Sequence, residues 1–304
     1  MLISYDRPPG TWAVTGGAFA SGFDGSGLTN GRPADSSRMV WPSGAQTTSV
    51  TQVLTFTFIG GAISARCACL IIPANSTTNL MPAGVKVTFS GKLSGSAVPL
   101  NGNATTQRTV ALGNGAVAIW VVFPAVSIDT LVVTIYNDKN GSTWISASDT
   151  HDLGEVWVGK GADFNVANNV DVQLMGGTKE RRSHNNQAWA LQVQPYRQLT
   201  ANLVPMTEAI AIGPNSAQDD YETVMNKLST AKACVLIPSY LSRGPVNGNS
   251  ATNGAPPPVI NSTTINEQRL NRTAVLGVVN QPIRMTVNGD QYYTSPIVFG
   301  ESPP

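Results

Sequence analysis

The stretch VTQVLTFTF, residues 50–58, alternates strictly: Leu54, Phe56 and Phe58 fall on one side of an extended chain, and Val53, Thr55 and Thr57 on the other. Successive side chains of a strand point to opposite faces, so a period of two marks a strand with one buried face. The β-branched and aromatic residues that fill it suit a pleated, half-buried surface. Reading outward, ISARCACLII (63–72), GVKVTFSG (84–91), TVALGNGAVAIWVVF (109–123) and TLVVTIYN (130–137) give further strands. Turn clusters such as PANSTTNLMPAG (73–84) and GSAVPLNGNATT (95–106) separate them. No helical period interrupts residues 1–140, so short strands at this spacing predict an antiparallel β-sandwich over 1–148.

Beyond it the pattern changes, and a second, β-rich α+β domain is expected over 149–304. LGEVWVG (153–159) reads as a strand, and AWALQVQPYRQLTANLVPM (188–206) as strand alternation broken by Pro195. One main helix is predicted at about 217–232: Tyr221, Val224, Met225 and Leu228 recur at helical spacing, and Ser216 with Asp219 forms a candidate capping box. ACVLIP (233–238) reads as a buried strand stopped by proline, and VNGDQ (287–291) as a hairpin turn. Residues 243–262, RGPVNGNSATNGAPPPVINS, read either as a linker or as an extended arm ordered on a neighbouring subunit.

Composition narrows the function. Of 304 residues only 12% are charged, with formal net charge +1, so no overall field attracts nucleic acid or an anionic membrane. No run approaches the roughly 20 apolar residues of a membrane span. The start, MLISYDRPPG, lacks the basic and apolar regions of a signal peptide, and synthesis in the cytoplasm is the expectation. Cys67, Cys69 and Cys234 cannot all pair, and the first two share one strand face, which reads as packing.

The charge that exists concentrates in WISASDTHDLGEVWVG, residues 144–159, which holds Asp149, His151, Asp152 and Glu155. With two histidines in the chain, any histidine chemistry falls to His151 or His184. A metal site needs three or four convergent ligands, and no HExxH, HxH or similar spacing supplies them. Neither a nucleophile elbow nor a phosphate loop is present. No catalytic residue, metal ligand or cofactor is therefore assigned; Asp149, His151 and Asp152 are read as the polar crossing between two domains. Lys179–Arg182, KERR, is the densest basic stretch, and Arg181 and Arg182 with Pro256, Pro257 and Pro258 are candidate interface residues.

Two resemblances add to this reading. GLTNGRPADSSRMVW (27–41) followed by LTFTFIGGAISARCACLIIPANSTTNLMPAGVKVTFSG (54–91) resembles the galactose-binding-like, discoidin-type jelly roll over about residues 28–140. That resemblance implies loops at one end that bind sugars in many members, with Asn30, Arg32 and Trp41 as candidate glycan contacts. LGEVWVG, GGTKERRS, AWALQVQPYRQLTANLVPMT, the helix and VLIP (235–238) follow an order similar to minor tail proteins of long-tailed bacteriophages, over about 150–240. It implies a non-enzymatic structural subunit of the tail tip or baseplate, assembled in the host cytoplasm into the virion. Its partners would be copies of itself and other tail proteins. The alternative is a carbohydrate- or receptor-binding module contacting host surface glycan, and the third reading is a polysaccharide hydrolase.

Overall fold

The computed structural model describes all residues except 44, 46–49, 74–80, 103, 105–106, 113–114, 146–149, 177, 183–187, 193–195, 214–217, 229–231, 241–264, 266, 281–283 and 303–304. The chain is mainly β, in several antiparallel sheets with short helices. One sheet runs in the order Gly10–Thr15, Thr51–Phe58, Thr130–Lys139, Val85–Leu93, Ser96–Val98. Its inner face is the alternation seen in the sequence. Leu54 and Phe56 sit opposite Val133 and Leu131, and Val133 and Ile135 sit opposite Phe89 and Val87; all seven are buried in one core. Each such side chain contributes roughly 1.5–3 kcal/mol by leaving water.

Facing this core is part of a ten-stranded sheet: Val110–Ala111, Val117–Ile128, Ile63–Ile72, Glu155–Asp163, Leu2–Tyr5, Cys234–Ile237, Val275–Val279, Ile297–Glu301, Tyr196–Leu203, Val166–Met175. Strand Ile63–Ile72 is buried on both faces from Cys67 onward. Ala68, Leu70 and Ile72 join the sandwich core, while Cys67, Cys69 and Ile71 pack on the other side with Trp120, Trp157 and Leu270. Both cysteines therefore pack, as the alternation implies, and burial pushes the Cys67 thiol up to about 12. Strands from both sides of residue 148 share this sheet: Glu155–Asp163 pairs with Ile63–Ile72, and Leu2–Tyr5 lies between Glu155–Asp163 and Cys234–Ile237.

Helix Tyr221–Leu228 covers the sheet, with Tyr221, Val224 and Leu228 packed against Ile3, Phe164 and Leu236. It starts at Tyr221, later than the predicted 217, and residues 229–231 of the predicted helix lie outside the described residues. Asp220 is the cap, its carboxylate accepting from the Thr223 amide and hydroxyl at 2.8 Å each. Asp219 instead accepts from Tyr5 Oη at 2.9 Å and Lys227 Nζ at 2.7 Å, tying the helix to the first strand; Ser216 lies outside the described residues. Two further helices, Glu208–Ala211 and Glu267–Thr273, were not anticipated by periodicity because each spans about two turns or fewer. The hairpin forms between Met285–Asn288 and Gln291–Thr294, with Gly289 at φ 65° as the first of two loop residues. The 243–262 segment, Pro256, Pro257 and Pro258 included, lies entirely outside the described residues.

Candidate functional site

Residues 20–36 form a loop between the strands Ala18–Phe19 and Ser37–Val40, which pair with each other. Its conformation is held from within. The Asp24 carboxylate accepts from the amide (2.8 Å) and hydroxyl of Ser26, which hold it below the usual carboxylate range. The Ser37 hydroxyl donates to the Asp24 carbonyl at 2.6 Å. The Asn30 side chain accepts from the Arg32 amide at 2.7 Å and donates to Asp35 Oδ2 at 3.2 Å. These are side-chain substitutes for backbone turn bonds, the reason Asx residues collect in loops.

The underside of the loop is fixed to Glu155–Asp163. Arg7 donates from Nη1 to Glu155 Oε1 and from Nη2 to the Thr29 carbonyl, with its guanidinium 5.1 Å over the Trp157 ring. Glu155 Oε2 accepts from the Gly31 amide at 3.0 Å. Burial pushes the Glu155 carboxyl up to about 7, opposed by Arg7 and the Gly31 amide, which favour the ionised form. Gly154 lets the loop come this close: a Cβ there would stand 2.2 Å from the Pro33 carbonyl oxygen, and backbone cannot yield that distance.

At the other end of the loop the Phe23 ring, 40% exposed, lies 5.3 Å from the Arg38 guanidinium. Arg38 is held in a two-pronged bond to Asp152, Nε to Oδ1 at 2.8 Å and Nη2 to Oδ2 at 3.0 Å. The two residues are directly opposite in the pairing of Ser37–Val40 with Thr150–Leu153. The loop thus presents an aromatic ring with a fixed cation behind it, and the side chains of Asp24, Asn30, Arg32 and Asp35 stand exposed along it.

The candidates from the sequence separate accordingly. Asn30 and Arg32 are on the exposed loop. Trp41 is not: it is 5% exposed, inside the sandwich core, edge-on to Trp144 at 5.8 Å and 5.6 Å from the His151 ring. A ring enclosed this way offers no face to a sugar, and its placement as a loop contact is corrected. His151 and Asp152 are likewise not a polar crossing. They belong to a buried strand, His151 1% exposed between the two tryptophans and Asp152 paired with Arg38. Asp149 lies outside the described residues. The backbones of Arg181 and Arg182 lie on strand Thr178–Arg182, opposite Trp189 and Ala188. Phe23, Arg38 and Arg7 were missed, and Glu155, noted in the charged stretch 144–159, was given no role. Phe23 carries a sequence signal, an aromatic in the turn-rich SGFDGSG (21–27), whereas Arg7 and Glu155 meet across 148 positions and carry none.

No protein-family model matches the chain. No curated protein matches it either. Among solved structures it is similar to CBM32-1 from a family 31 glycoside hydrolase from Clostridium perfringens, at TM-score 0.33 and 14% identity over 51% of this chain and 99% of that one. It is similar to GH31 CBM32-2 bound to GalNAc at TM-score 0.31 and 16% identity, over 50% of this chain and 99% of that one. A third, the CBM32-1 and CBM32-2 domains from Clostridium perfringens ZmpB, covers 98% of this chain and 94% of its own at TM-score 0.33 and 6% identity. Likeness at these scores assigns neither ligand nor role.

Proposed function

We propose that the chain is a glycan-binding module without catalytic activity, and that loop 20–36 is its binding surface. The observation that carries this reading is the half-open Phe23 ring, backed by the Arg38–Asp152 pair, on a loop clamped to the sheet by Arg7 and Glu155. A sugar presents a C–H face and a fan of hydroxyls. An exposed ring covers the first, and carboxylate, amide and guanidinium groups such as Asp24, Arg32 and Asp35 bond the second. Holding these groups in place before binding lowers the ordering cost that otherwise limits affinity.

The test is a glycan array followed by titration of the hits, with GalNAc and host-type polysaccharides in the panel. Binding that falls at least tenfold in Phe23→Ala supports the reading. An array without hits, or hits indifferent to Phe23→Ala, contradicts it. The second reading is a structural subunit of a bacteriophage tail tip or baseplate in the virion, which rests on the order of sequence segments from LGEVWVG (153–159) to VLIP (235–238). Immunogold labelling of intact particles would support that role, and absence of the protein from them would remove it.

A further inference from the structure

Asparagine followed by glycine is open to one spontaneous reaction, because glycine has no side chain to hinder its own amide nitrogen as that nitrogen turns onto the preceding side chain. The chain has seven such pairs; four, at Asn30, Asn101, Asn140 and Asn288, lie within the described residues. At two of the four a carboxylate holds the glycine amide: Gly31 donates to Glu155 Oε2 at 3.0 Å and Gly141 to Asp138 Oδ1 at 2.6 Å. A nitrogen held this way must abandon a charge-assisted bond, and leave its acceptor unserved, before it can attack. The Asn30 side chain is tied as well, to the Arg32 amide and to Asp35. At the third pair the backbone has no room. A Cβ on Gly102 would run into the Val122 carbonyl oxygen, so the Asn101–Gly102 segment packs directly on the neighbouring strand. Asn288–Gly289 has neither restraint. Both residues are exposed at the tip of the hairpin between Met285–Asn288 and Gln291–Thr294, and nothing lies within 4 Å of the place a Gly289 Cβ would take. Among the described residues the Gly289 amide has no acceptor.

We infer that Asn288 is the residue at which the folded chain modifies itself, passing through a cyclic imide to aspartate and isoaspartate. The Gly289 amide nitrogen gives its proton to water or hydroxide and bonds to Asn288 Cγ. The Cγ–Nδ2 bond breaks, and the side-chain nitrogen leaves as ammonia. Water then opens the ring. Attack at Cγ yields aspartate; attack at the main-chain carbonyl carbon yields isoaspartate, with the backbone rerouted through Cβ and Cγ. Water is the only co-reactant, one molecule taken up for each ammonia released. Either product sets a new carboxylate two positions from Asp290. Isoaspartate also adds a methylene to the main chain at the strand end, which a two-residue turn cannot absorb while position 288 stays opposite Gln291. This hairpin is part of the packed structure: Met285 and Tyr292 lie against the core under helix Tyr221–Leu228, and Gln291–Thr294 pairs with Met206–Thr207. Conversion loosens that corner of the molecule. Glu155, in holding the Gly31 amide, keeps the same reaction out of loop 20–36. The inference is independent of the glycan reading.

The experiment ages the full chain in mildly alkaline buffer, digests it under acid conditions, and measures asparagine, aspartate and isoaspartate at the four pairs by mass spectrometry with fragmentation that separates the two isomers. Conversion at Asn288 at least tenfold faster than at Asn30, Asn101 and Asn140 is expected, with raised hydrogen exchange across 285–294 in the converted fraction. The chain aged in guanidinium chloride is the control for sequence. Unfolded, the four pairs should react within a few-fold of one another, because the restraints at Gly31, Gly102 and Gly141 are gone. Similar rates at the four pairs in the folded chain overturn the inference, as does a lead by any of the other three. So does an Asn288 that stays intact in the folded chain while the unfolded sample converts. A preference for Asn288 that persists undiminished in guanidinium chloride also overturns it, since sequence alone then sets the rate.

Discussion

Trp41→Ala distinguishes a core residue from a ligand contact. The indole is enclosed by the sandwich core and meets the Trp144 ring edge-on at 5.8 Å and the His151 ring at 5.6 Å. Truncating a buried tryptophan removes its transfer free energy and leaves a cavity, together about 3–5 kcal/mol. The lost ring pair adds roughly 1 kcal/mol. In guanidinium chloride, with a slope of a few kcal/mol per molar, the unfolding midpoint drops by roughly 1 M. Circular dichroism and tryptophan fluorescence, followed together, measure it. Phe23→Ala, at a half-exposed ring, shifts the same midpoint by less than about 1 kcal/mol in equivalent stability. A Trp41→Ala variant as stable as the parent that had lost glycan binding would refute this assignment and return Trp41 to the binding surface.

Three other substitutions probe the frame beneath the loop and the helix. Gly154→Ala drives a Cβ into the Pro33 carbonyl and costs about 1–3 kcal/mol by overpacking, read as a lowered thermal midpoint; hydrogen exchange at residues 29–33 should rise with it. Asp220→Ala removes the cap bonds to Thr223 and lowers stability by roughly 1 kcal/mol in urea unfolding. Glu155 has its folded value raised to about 7 from a reference of 4.5, so its contribution is fully present below pH 4.5 and is lost as pH rises through 7. Against Glu155→Gln, which does not titrate, the parent should lose at most roughly 3 kcal/mol over that window in denaturant unfolding at fixed pH. A difference that grows with pH instead would show the Arg7 ion pair outweighing burial.

The sequence displayed the parts of this molecule that depend on neighbours in the chain. Alternation at Leu54, Phe56 and Phe58 gave the strand and its inward face, and Tyr221, Val224 and Leu228 gave the helix and its buried side. The helix start was placed four residues early, at 217, because Ser216 with Asp219 matches a capping box in the sequence, whereas the cap is Asp220. Only the fold draws Asp219 away, through Tyr5 and Lys227. Trp41 read as a loop residue because it stands between a strand and Pro42. Its burial comes from Trp144 and His151, more than a hundred positions on, which local pattern does not report. The shared sheet escaped for the same reason. Leu2–Tyr5 is a four-residue strand with no alternation, and its place between Glu155–Asp163 and Cys234–Ile237 is a matter of long-range pairing. At the loop, the turn chemistry of Asp24, Asn30 and Asp35 was visible in residue type, while the clamp by Arg7 and Glu155 was not.

Isothermal titration of the best array glycan into the parent and into Phe23→Ala, with Trp41→Phe as a control that keeps the core aromatic, bears most directly on the proposed role. Saturable one-site binding by the parent and by Trp41→Phe, with at least a tenfold weaker affinity in a fully folded Phe23→Ala, is the predicted result. Equal affinity in Phe23→Ala, or no heat of binding from any sugar, would contradict it.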